Sequence, residues 1–145
     1  MNILYCGDKT MQKGILLSSM SLIKNVDEPL NIYILTVDYR EKGINYKPVD
    51  KAFAKYLKEK LNKSDIKVNI FLVDVTRFFV EELPEANMQS RFTACCMLRL
   101  FADKTDIKDR VLYLDTDVLC RKDFRDFYYQ NMDAVSYTHL RAHET

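Results

Sequence analysis

The stretch V-L-Y-L-D-T-D-V-L, residues 111–119, decides how the rest of the chain is interpreted. Its apolar opening is typical of a strand, and Asp115 and Asp117 follow at a spacing of i, i+2. In extended backbone two residues so spaced point to the same side, so the two carboxylates are expected to converge at the carboxyl edge of a sheet. Carboxylate oxygens suit a hard divalent cation, Mn²⁺ or Mg²⁺, bridging a diphosphate. The alternative is that the aspartates only form a turn.

Strand-like and helical patterns alternate upstream of this stretch. The patterns predict strands at 2–6, 30–37, 66–73 and 110–114, and helices at 11–25, 48–61 and 93–102. This alternation implies crossover connections and a mainly parallel sheet. We therefore predict a doubly wound α/β fold with strand order 3-2-1-4, in which the direction of winding reverses between strands one and four.

Asp8 comes directly after the first predicted strand. In an open α/β sheet, ligands bind outside the carboxyl ends of the strands, at the point where the strand order reverses. Asp8 and Asp115 are therefore expected to flank one crevice. Alternatively, Asp8 is a helix N-cap or forms an Asx turn before Thr10.

Arg99 introduces a charge into the apolar segment C-M-L-R-L-F, residues 96–101. A buried guanidinium needs a partner, which is either Asp103, one helical turn later, or an anionic ligand. The segment by itself favours the structural pair with Asp103.

Composition excludes several classes of protein. The 145 residues carry 22 Lys+Arg against 21 Asp+Glu, so the chain lacks the positive field that nucleic-acid binding needs. The 9 Tyr and 8 Phe exclude a disordered chain, and no apolar run is long enough to span a bilayer. The four cysteines have no C-x-x-C spacing and are expected to be reduced thiols in a cytoplasmic protein.

The glycine and histidine positions exclude further classes. There is no G-x-G-x-x-G and no G-x-x-x-x-G-K-[ST] motif for a dinucleotide or a P-loop. The segment A-V-S-Y-T-H-L-R-A-H-E-T, residues 134–145, resembles a translated sequencing-adapter tail. Because His139 and His143 both lie in that segment, we assign neither a catalytic nor a metal-binding role to them.

Taken together, these segments resemble family 8 of the retaining glycosyltransferases, which has the GT-A fold. The resemblance runs from Asn2 to about Phe127 and rests on N-I-L-Y-C-G-D, L-L-S-S-M-S-L-I, M-L-R-L and V-L-Y-L-D-T-D-V-L. It implies transfer of a hexose from a nucleotide diphosphate sugar, commonly a UDP-sugar, to a glycan or lipid-linked acceptor, with retention and with Mn²⁺ (or Mg²⁺) as cofactor.

The resemblance also implies roles for individual residues. Asp8 resembles the acid that holds the nucleobase, with Cys6 and Gly7 lining the same pocket, and Asp115 and Asp117 resemble the metal-binding pair. Asp117 is also expected to reach the ribose. Arg99 resembles the basic residue that contacts the donor phosphate or sugar. Arg91 resembles such a residue by a weaker correspondence.

Family enzymes continue well beyond the D-x-D strand. We therefore expect residues 1–133 to be the nucleotide-sugar-binding part of an incomplete domain, inactive alone, and residues 134–145 to be a non-native tail. Peripheral membrane contact would then come only through the missing half. Two alternatives remain: a HAD-type phosphatase, in which the first Asp is the nucleophile and the second the acid/base, or a non-catalytic nucleotide-binding fragment.

Overall fold

Within residues 1–82, 94–107 and 109–132, which the computed structural model describes, four strands form one sheet. They are β1 (Asn2–Cys6), β2 (Leu30–Thr36), β3 (Val68–Asp74) and β4 (Leu112–Tyr113). The order is β3-β2-β1-β4, and every neighbouring pair is parallel. The predicted α/β class and strand order are therefore confirmed.

Helical segments join the strands on both faces of the sheet. The α-helices are α1 (Gln12–Ile23), α2 (Lys51–Leu61), α3 (Thr76–Glu81) and α4 (Arg125–Tyr128), and two 3₁₀ segments span Lys9–Met11 and Ala94–Lys104. Over the ranges that the structure describes, none of these helices has the length and apolar character needed to cross a bilayer. The segment 134–145 lies outside the described residues.

Two apolar cores cover the sheet, one on each face. Because side chains alternate along a strand, Ile3 and Tyr5 of β1 enter the core that contains α1 and α2, while Leu4 and Cys6 enter the other. The second core also contains residues of α3 and of the long 3₁₀ segment. Burial on both faces explains why β1 and β2 read as nearly continuous apolar runs.

The segment predicted as a helix over 93–102 is helical but not an α-helix. It forms a 3₁₀ helix over Ala94–Lys104, and its buried residues Cys95, Leu98 and Phe101 recur every third position. That spacing matches the 3.0 residues per turn of a 3₁₀ helix, so a narrow apolar stripe faces the core. Thr93, the first residue of the predicted helix, lies outside the described residues.

The fourth strand is shorter than the predicted 110–114. Leu112 and Tyr113 pair with β1, and the amide of Leu114 still donates to the carbonyl of Leu4 at 3.0 Å. The amide of Val118 then donates to the carbonyl of Asp115 at 3.1 Å, which closes a turn. The expectation that the two aspartates lie in extended backbone is therefore wrong, because they belong to this turn.

Candidate functional site

A cavity of about 380 Å³ lies at the carboxyl ends of β1 and β4, where the strand order reverses. This is the position at which open α/β sheets bind ligands. The cavity is formed by residues from the end of β1, the start of α1 and the long 3₁₀ segment. It is also lined by the turn at Asp115, Thr116 and Asp117, which we call the D-T-D turn. The lining residues are Cys6, Met11, Cys95, Cys96, Tyr113, Asp115, Thr116 and Asp117.

Asp115 and Asp117 both line this cavity, although a turn rather than a strand presents them. Both are exposed, and within the described ranges neither forms an ion pair with a lysine or arginine. Two carboxylates that face a cavity without a cationic partner fit a hard divalent cation. In the same ranges no group of three or more His, Cys, Asp or Glu side chains could hold a metal, so the pair would supply only part of a coordination sphere.

The D-T-D turn rests directly on the start of α1. A Cβ atom at Gly14 would lie 2.4 Å from the carbonyl oxygen of Thr116, so only glycine allows this approach of the two backbones. The hydroxyl of Thr116 also lies 3.4 Å from Sδ of Met11. The first turn of α1 thus fixes the residue between the two aspartates.

Asp8 is buried, with 6% of its surface exposed, and does not line the cavity. Its Oδ1 accepts hydrogen bonds from the backbone amide of Thr10 at 3.1 Å and from the Thr10 hydroxyl at 2.5 Å. This is the Asx turn that the sequence left open as an alternative. No described residue donates to Oδ2.

Gly7 is part of the same connection after β1. Its amide donates to the carbonyl of Leu35 at 3.0 Å, which continues the β1–β2 ladder. A Cβ atom at Gly7 would lie 2.5 Å from Cγ of Met11, a residue of the cavity wall. Of the three residues expected to form a base pocket, only Cys6 lines the cavity.

Arg99 is exposed rather than buried, and the expected pair with Asp103 is not formed. In a 3₁₀ helix residues four apart point ~120° away from each other around the axis, so Asp103 faces a different direction. The guanidinium carbon of Arg99 lies 5.3 Å from the ring centre of Tyr113 instead. Arg91, the weaker candidate for phosphate contact, lies outside the described residues.

Three titratable groups of the cavity wall, Cys6, Cys95 and Tyr113, are held in their neutral forms. Burial raises the pKa of the Cys6 thiol to about 12, against a smaller opposing effect of the Arg99 charge. Burial likewise raises the pKa of Cys95 to about 12. The pKa of Tyr113 is raised by burial and by its hydrogen bond to Asp115. Neutral thiols are poor nucleophiles, so Cys6 and Cys95 act as apolar wall residues.

Tyr113 is one of the residues of this site that the sequence analysis missed. Its hydroxyl donates to Oδ1 of Asp115 at 2.7 Å. The signal was present in the sequence, because residues two apart at a strand end share a side, and Tyr113 precedes Asp115 by two. Thr116 and Gly14 were missed for a different reason, since their contact joins segments about a hundred residues apart.

Comparisons with known proteins bear on the family and the fold of this chain. The family described as Glycosyl transferase family 8 matches residues 2–142. Among solved structures, the chain is similar to mouse xyloside xylosyltransferase 1 in its apo form, with a TM-score of 0.53 and 14% identity. That match covers 88% of this chain and 46% of the mouse protein, so the chain spans about half the length of this relative. A search of curated protein sequences found no match.

The structural likeness shows a shared fold, a GT-A-like α/β domain. The family match covers most of the chain and favours a glycosyltransferase over a HAD-type phosphatase. On the sequence match, this chain belongs to glycosyl transferase family 8.

Proposed function

We propose that this chain is the nucleotide-sugar-binding part of a metal-dependent glycosyltransferase. The donor is a UDP-hexose, the acceptor is a glycan or a lipid-linked glycan, and the anomeric configuration is retained. The reduced thiols beside the cavity suit the cytoplasm. One observation carries the proposal: Asp115 and Asp117 line a single cavity at the reversal point of the sheet.

The two aspartates would hold Mn²⁺ or Mg²⁺ through carboxylate oxygens. When bound, the cation neutralises charge on the diphosphate and so favours its departure from the sugar. The protein supplies orientation: the D-T-D turn is held by Gly14 and the cavity wall is closed by the side of the long 3₁₀ segment. A fixed geometry of this kind lowers the entropic cost of bringing donor and acceptor together.

The base would be held at the end of β1. Asp8 has Oδ1 occupied by Thr10, and its second oxygen can accept the N–H of a uracil ring. Arg99 is exposed and lies over the ring of Tyr113, whose hydroxyl donates to Asp115, and this position suits a contact with the donor phosphate. We assign Arg91 the same role by resemblance alone.

A nucleotide panel tests the proposal. Isothermal titration calorimetry with UDP, CDP and GDP, with and without Mn²⁺, should show the tightest binding for UDP and an increase in that affinity with Mn²⁺. Equal binding of all three nucleotides regardless of metal would contradict the proposal. Hydrolysis of p-nitrophenyl phosphate that is lost in Asp115→Asn would support the phosphatase alternative instead.

A further inference from the structure

Tyr113 connects the rigid sheet to the first aspartate of the D-T-D turn. It is the last residue of β4, it pairs with Leu4 of β1, and its side chain packs against the second core. Its hydroxyl donates to Oδ1 of Asp115 at 2.7 Å. One end of this side chain is therefore fixed by the sheet, and the other end holds a carboxylate of the cavity.

The ring of Tyr113 is held by a second contact. The guanidinium carbon of Arg99 lies 5.3 Å from the ring centre, which is within the range of a cation–π interaction. Sheet pairing and this contact together restrict where the hydroxyl can point. The phenol is thus a preoriented donor.

Asp115 itself is exposed, and an exposed carboxylate samples several rotamers. The hydrogen bond from Tyr113 selects one of them and occupies Oδ1. No described residue donates to Oδ2, so that oxygen remains for a ligand. Outer hydrogen bonds of this type orient the carboxylates that hold metal ions, and removing one weakens metal binding ~10–100-fold in general.

We propose that Tyr113 is a positioning residue, which orients the carboxylate of Asp115 toward the divalent cation. This inference rests on the function proposed above. It goes beyond that function because it attributes the orientation of the Asp115 carboxylate to a residue of β4 rather than to the D-T-D turn.

The test is Tyr113→Phe, which removes the hydroxyl and keeps the ring beneath Arg99. We expect Mn²⁺ affinity in the presence of UDP, measured by electron paramagnetic resonance of free Mn²⁺, to fall ~10-fold. The matched control is Tyr129→Phe, which removes a hydroxyl that donates to Glu28 at 2.6 Å on the exposed surface. The control should bind Mn²⁺ as the unmodified chain does.

Affinity for UDP without metal separates positioning from a general loosening of the cavity. A positioning role predicts that UDP binding in EDTA stays within twofold of the unmodified chain, whereas a structural role weakens both measurements. Equal Mn²⁺ affinity in Tyr113→Phe and the unmodified chain, or an equal loss with and without metal, overturns the inference alone. If the unmodified chain binds no Mn²⁺ with UDP, the proposed function itself fails.

Discussion

Asp8 lies at the end of β1 with one carboxylate oxygen bound to Thr10 and the other without a described donor. One oxygen thus forms the turn, and the other is the oxygen that we propose accepts the N–H of the base. An amide in the same place keeps the first function, because its oxygen can still accept from Thr10. Its nitrogen, however, would donate to a base where the carboxylate accepts.

Asp8→Asn is therefore expected to change base selectivity while leaving the fold intact. Uracil presents an N–H at the position where cytosine presents an acceptor, so the preference for UDP over CDP should fall by ~1–3 kcal/mol and shift toward CDP. Competition calorimetry with the two nucleotides measures this change. An unchanged preference would show that Asp8 only forms the turn.

The thiols of Cys6 and Cys95 give a second prediction at this scale. Because burial raises each pKa from 9.0 to about 12, both stay protonated as the pH rises through the usual range of a thiol. At about pH 8 the thiolate fraction is ~1,000-fold smaller than that of an unperturbed thiol, so alkylation should slow by a similar factor. Iodoacetamide labelling followed by mass spectrometry measures the rate, with the urea-unfolded chain as control. Equal rates in the folded and unfolded chain would contradict the burial of these thiols.

At the scale of elements, α1 supports the D-T-D turn through the close approach of Gly14 to Thr116. Glycine to alanine in an open helix stabilises a protein by ~0.4–1 kcal/mol. Here the added Cβ would lie 2.4 Å from a backbone oxygen, which cannot move as a flexible side chain would. Replacing Gly14 by alanine should therefore lower the free energy of unfolding rather than raise it.

Gly14→Ala is expected to destabilise the chain by ~1–3 kcal/mol, the usual cost of overpacking, and to weaken Mn²⁺-dependent UDP binding because the turn must shift. Lys13→Ala, on the exposed face of the same helical turn, is the matched control and should change neither quantity. Urea unfolding and calorimetry measure the two effects. A stabilised Gly14→Ala variant with unchanged binding would show that the turn does not depend on α1.

The sequence predicted the elements better than their ends. Every predicted strand exists, because apolar runs bounded by polar residues are the strongest local signal. β3 begins at Val68 rather than at the predicted residue 66. The side chain of Asn62 accepts a hydrogen bond from the amide of Val68 at 2.9 Å and donates one to its carbonyl at 2.8 Å. Such a side-chain bridge leaves no signal in a hydrophobic pattern.

The same distinction applies to the site. Asp115 and Asp117 were found because a strand followed by two acids is a local pattern. The surroundings of Arg99 were not predicted correctly. The expected pair with Asp103 requires an α-helix with 3.6 residues per turn, whereas this segment is a 3₁₀ helix with three. Sequence reasoning located the carboxylates, and the three-dimensional packing determined what supports them.

At the scale of the whole molecule, the two cores place the cavity at the edge of the sheet rather than inside it. Ile3 and Tyr5 fill one core and Leu4 the other, so β1 is buried on both faces up to the point where Cys6 reaches the cavity. The cavity with Asp115 and Asp117 lies at the carboxyl ends of the strands, where turns and helix starts supply polar groups.

At this cavity, Asp115 and Asp117 are proposed to bind a divalent cation together with UDP. The most direct test is the affinity of UDP with and without Mn²⁺ in the unmodified chain and in Asp117→Asn, with Asp126→Asn on the exposed surface as control. We expect Mn²⁺ to increase the affinity in the unmodified chain and in the control, and to have no effect in Asp117→Asn. An equal increase in all three proteins would show that these aspartates do not form the metal site.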